Sequence, residues 1–151
     1  MSDRIEKSIE VKATVSRVWR ALTDHTEFGA WFGVKLDGPF VVGKASSGRK
    51  INPCEGYENV PWKTTVVRME PERIFAFTWH PFAIDPKRDF SDETQTLVEF
   101  TLQPTATGTL VRVVESGFDK LPPERRLEAF PKHENGWVAQ MENIAKHVHA
   151  A

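Results

Sequence analysis

A chain of 151 residues with 40% hydrophobic and 27% charged side chains can fold one domain around a sizeable core, and this composition excludes a disordered segment. Its 20 Lys and Arg stand against 21 Asp and Glu, a formal net charge of -1 that leaves no basic excess for a phosphate backbone and sets nucleic acid aside as a partner. The single cysteine, Cys54, excludes an intrachain disulfide, and no run approaches the ~18 apolar residues of a membrane span. The charged start "MSDRIEKSIE" is no secretory signal, so the expected location is cytoplasmic, with no membrane partner.

In chain order, "RIEKSIEVK" at 4–12 alternates Ile5, Lys7, Ile9 and Val11 with charged or polar neighbours, a strand with one wet face. Thr14 is placed to cap a helix whose Val15, Val18, Trp19 and Leu22 make one apolar stripe. Asp24 can cap a second short helix carrying Phe28, Trp31 and Phe32, and Gly33 would end it. From residue 34 to 118 the texture changes to β-prone runs at 34–38, 40–47, 62–70, 73–80, 95–103 and 109–117, an antiparallel meander. Turns fall at "MEPER" and "TATGT", and longer connections at 47–61 and 81–93. The chain closes on a long helix with Trp137, Met141, Ile144 and Val148 on one face, which Pro131 is expected to begin or to kink. There is no repeat and no linker, so residues 1–151 read as a single domain.

Two stretches carry the functional question. In "RIFAFTWHPF", at 73–82, alternation turns Phe75, Phe77 and Trp79 to the same face. They could be sealed in a core, line a cavity, or form a platform for nucleic-acid bases. In "TLVRVVES", a solvent-facing Arg112 sends Val111, Val113 and Glu115 inward; the alternative is a bulge at Ser116–Gly117 that returns Glu115 to water. His80 falls on the face opposite the aromatic row. His25, His133, His147 and His149 show no spacing tied to a carboxylate or cysteine, so neither a metal nor another cofactor is expected. No phosphate loop or nucleophile elbow is present.

"ATVSRVWRALTDHTEFGAWF", "VVRMEPERIFAFTW", the run ending in "ESGF" and "ENGWVAQMENI" follow one another as do the signatures of the activator of heat-shock-protein-90 ATPase homologue family, which the chain resembles from about residue 5 to 148. That family belongs to the START-like, or SRPBCC, helix-grip superfamily. The resemblance implies an α+β helix-grip fold: a curved seven-stranded antiparallel sheet wrapped around a long C-terminal helix, with two short helices between strands 1 and 2. It also implies an internal hydrophobic cavity for an apolar small molecule. The cavity would be walled by Trp31, Trp62, Phe75, Phe77, Trp79, Phe100, Val113, Trp137 and Met141, with Glu115 orienting the polar end of the ligand.

Two alternatives accompany this expectation. One is a cyclase- or hydrolase-type enzyme with Glu115 as acid or base, assisted by Tyr57 or His80; no catalytic residue set is visible for it. The other is a co-chaperone-like interaction module. The eukaryotic co-chaperone joins this domain to a separate N-terminal domain without counterpart in residues 1–151, which weighs against a chaperone partner. The expected state is a monomer or a homodimer.

Overall fold

The computed structural model describes residues 4–50, 61–80 and 94–149. Tyr57, Cys54 and most of the two long connections lie outside these residues. Strand β1 (Arg4–Val11) is followed by α1 (Val15–Thr23) and α2 (His25–Phe32). Strands β2 (Val34–Leu36), β3 (Ala45–Lys50), β4 (Pro61–Glu70), β5 (Ile74–Trp79), β6 (Thr96–Pro104) and β7 (Thr109–Ser116) come next, and α3 (Pro123–His149) closes the chain. All pairings are antiparallel, in the order β1-β7-β6-β5-β4-β3-β2, so the meander is closed at one end by the first strand. This is the expected seven-stranded helix-grip architecture, a curved sheet with a long C-terminal helix.

Local chemistry sets the boundaries of the two short helices. The Thr14 hydroxyl accepts from the Arg17 amide at 3.1 Å and starts α1. One oxygen of Asp24 accepts from the amides of Thr26 and Glu27 at 2.9 and 3.1 Å and starts α2. Gly33, at φ 90°, ends it in the left-handed conformation that a Cβ disfavours.

The 40–47 run is where sequence and structure part. Strand β3 begins only at Ala45, because Phe40 is pulled into the core and Gly43 turns the chain at φ 85°. Val41 and Val42, β-prone by type, are left exposed. Conversely, the polar "SGRK" assigned to a connection completes β3. Gly48 belongs there because β2 crosses so closely that a Cβ would lie 2.3 Å from the Lys35 carbonyl oxygen. A register shift between Val66 and Arg68 turns Val67 out of the sheet while keeping Trp62, Thr64 and Val66 on its inner side.

Helix α3 starts at Pro123, one proline earlier than expected, and continues through Pro131. Pro131 has no amide to offer the Leu127 carbonyl, but both residues are exposed, so water can take that place. Trp137, Met141 and Ile144 are buried as the helical spacing predicts, and α3 lies against the inner face of the sheet and the two short helices. No helix among the described residues is long and apolar enough to cross a membrane.

Candidate functional site

The aromatic side chains between α3 and the sheet divide into two groups. Phe28, Phe75, Phe77 and Phe100 retain no accessible surface, and neither does the adjoining Val113. Phe75 and Phe100 stack at 6.4 Å, and Phe28 stands edge-on to Phe75 and Phe77 at the same distance. The second group is Phe32, Trp62, Trp79 and Trp137, whose neighbouring ring centroids lie between 5.8 and 6.2 Å apart. Phe32 and Trp79 in this group are only half-buried. The row on β5 therefore faces the core and ends at a partly open tryptophan. It is not an exposed stacking platform.

Beside Trp79 and Trp137 sits a carboxylate. The β7 alternation places Val111, Val113 and Glu115 on the inner side with no exposure, and Arg112 outside, paired with Glu6 of β1. A lone buried charge would be costly, and Glu115 is not alone. Its Oε1 accepts from the Trp137 indole at 2.9 Å and lies 2.6 Å from Nδ1 of His133. Its Oε2 accepts from the Trp79 indole at 2.8 Å and from the Thr96 hydroxyl at 2.6 Å. An ionised carboxylate only accepts, so Nδ1 of His133 carries the proton in this contact. Burial by itself would raise the pKa of Glu115; the adjacent His133 charge and the hydrogen bonds from His133, Thr96 and Trp79 outweigh it and hold the carboxyl below its ordinary value.

All ten residues expected at the site are among the described ones, and nine of them are buried, Trp79 being half-buried. Trp31 is anchored by its indole, which donates to the Ala21 carbonyl at 2.8 Å. His80 follows β5 directly and is half-buried. No spacing in the sequence ties the histidines to a carboxylate, yet in the fold two of them meet one: Nδ1 of His133 contacts Glu115, and Nε2 of His147 lies 2.9 Å from Glu27. These pairs join residues from different elements, so no local spacing announces them. A signal for His133 nevertheless exists, since it precedes Trp137 by one helical turn on the face that continues to Met141. Thr96 and Phe32 were also missed; Thr96 shares the inward alternation of Val98 and Phe100, and Phe32 follows Phe28 by one turn. Among the described residues, no group of three or more His, Cys, Asp or Glu side chains is placed to hold a metal ion.

A curved antiparallel sheet gripping a helix, with a polar centre set in an aromatic interior, defines a START-like domain. The chain belongs to the family described as Activator of Hsp90 ATPase homolog 1-like protein, which it matches over residues 12–149. Among solved structures, a protein from Mesorhizobium loti is similar at 24% identity and TM-score 0.76, covering 98% of each chain. A protein from Arthrobacter aurescens reaches TM-score 0.79 at 17% identity, over 99% of this chain and 87% of that one. The Aha1 dimer from Colwellia psychrerythraea is similar at 18% identity and TM-score 0.69, over 98% of this chain and 96% of that one. No curated protein matches the sequence.

Proposed function

We propose that this protein binds a small apolar or amphipathic molecule between α3 and the sheet, at the end bounded by Phe32, Trp62, Trp79 and Trp137. The observation that carries the reading is the gradient of burial along one aromatic face. Phe75 and Phe77 are closed, whereas Trp79, two residues on, keeps accessible surface beside Phe32 and the half-buried His133. Small-molecule sites are concave, mostly apolar and furnished with a few fixed polar groups. Trp31 and Met141 extend the wall, while Phe75, Phe77, Phe100 and Val113 act as its floor.

Glu115 serves this site indirectly. Each of its oxygens already holds two donors, which fills the carboxylate's hydrogen-bonding capacity and fixes the planes of Trp79, Trp137 and His133. The same saturation disfavours the enzyme reading, because Glu115 has no lone pair left for a substrate proton. The test is a titration of the indole N–H resonances with 2-isopropylnaphthalene, together with native mass spectrometry of the purified protein. Saturable shifts of the Trp79 and Trp137 signals are expected. Unmoved signals up to the solubility of the probe, with no co-purified small molecule, would sink the reading.

A further inference from the structure

The inner face of β4 holds two polar atoms that the fold does not use. Trp62 and Thr64 are 4% and 1% exposed, and among the described residues neither the Trp62 indole N–H nor the Thr64 hydroxyl has a hydrogen-bond partner. Buried indoles ordinarily find an acceptor. Trp31 donates to a backbone carbonyl, and Trp79 and Trp137 donate to Glu115. Trp62 departs from this, and so does the hydroxyl two residues along. Positions 62 and 64 point to the same side of the strand, and both are buried there. Two adjacent buried groups left unsatisfied are a standing cost to the unliganded fold, and such a cost calls for an explanation.

We infer that Trp62 and Thr64 form a hydrogen-bonding subsite for an uncharged oxygen acceptor, a carbonyl or ether oxygen carried on an otherwise apolar ligand. This rests on the ligand site proposed above and names the chemistry of its occupant. An indole N–H only donates, so the ligand atom facing it must accept; the Thr64 hydroxyl can donate to that same atom. The rings around Trp62 are Phe28, Phe32, Phe77 and Trp79, which requires an apolar body. None of these neighbours is a cation, and Lys63 is exposed on the other side of β4. A carboxylate or phosphate would thus be buried among these described neighbours without a counter-charge from them, which favours the neutral acceptor.

The test compares 2-acetylnaphthalene with 2-isopropylnaphthalene, two molecules of nearly the same shape of which only the ketone accepts a hydrogen bond. The ketone should bind about tenfold more tightly, as one buried hydrogen bond provides. Only the ketone should move the Trp62 indole proton downfield. Thr64→Val and Trp62→Phe should each reduce the preference for the ketone, read within each variant as the ratio of its affinities for the two probes. Without any ligand, Thr64→Val should also raise Tm, since it removes an unsatisfied hydroxyl and keeps the side-chain shape. Equal affinity for the two probes, or a preference that survives both substitutions, overturns the subsite and leaves the ligand site standing. Absence of binding by both probes overturns the subsite and, with no co-purified small molecule, the ligand site as well, and a lowered Tm in Thr64→Val shows the hydroxyl to be structural.

Discussion

Two polar clusters share the inner face of one sheet and differ in how far the protein completes them. At β7, Glu115 gathers donors from β5, β6 and two turns of α3, so one carboxylate ties four side chains and three elements to its own strand. At β4, Trp62 and Thr64 are also hidden from water, and among the described residues neither polar atom has a hydrogen-bond partner. Burial alone therefore does not distinguish a structural polar group from a recognition group. Satisfaction is the difference between them: the completed cluster cross-links the fold, whereas the incomplete one is, on the proposal above, the recognition group.

The contrast is broken most severely at the completed end. Glu115→Ala leaves four donors, two buried and two half-buried, without their acceptor, and loss of one partner from a buried charged network costs about 3–5 kcal/mol. Trp137→Ala, which removes a buried ring together with one of those donors, should cost about as much. Denaturant unfolding reads both, and a loss below about 1 kcal/mol in either variant would mean that the cluster is not what anchors α3.

Acid sharpens the comparison further. Glu115 has its pKa lowered in the folded protein, so its stabilisation is complete above the unfolded-state value near 4.5, declines below it, and is gone once the pH passes under the folded value. The stability difference between the wild type and Glu115→Gln should therefore shrink in that acid window. Comparing the two proteins cancels the contributions of Glu27 and Glu6, whose values are also lowered and which both retain. His133→Asn, which removes the adjacent positive charge, should raise the folded value toward the unfolded one, so that the acid-linked loss is smaller and is complete at a higher pH. A difference that stays flat through the acid range would show that Glu115 is not charged in the native state. The smallest effect belongs to the incomplete end, where Thr64→Val changes stability by only a few tenths of a kcal/mol to about 1 kcal/mol, and upward.

Much of this architecture is legible in the chain, and the exceptions share a cause. Alternation suffices to send Glu115 inward, and helical spacing suffices to bury Trp137 and Met141, because each depends on one element at a time. His133 and Thr96 become partners of Glu115 only once β6, β7 and α3 are assembled, and no spacing within any one of them encodes that meeting. The misplaced start of β3 has the same origin. Gly48 and its polar neighbours look like a loop in isolation and are strand because β2 presses against them, while Val41 and Val42 look like strand and are left outside by Gly43. Satisfaction of hydrogen bonds is likewise invisible in sequence, which is why Thr64 draws no notice there.

The open ends of the sheet bear on self-association. A sheet that does not close into a barrel exposes two rows of unpaired backbone groups, to which another chain can add a strand. Here one edge is β2, only three residues long. The other is β1, paired on a single side, where Arg4, Glu6, Lys7 and Glu10 put charge along the strand. Short length and interspersed charge both discourage strand addition, so two copies of this chain that meet in solution should do so through a surface other than the sheet margin.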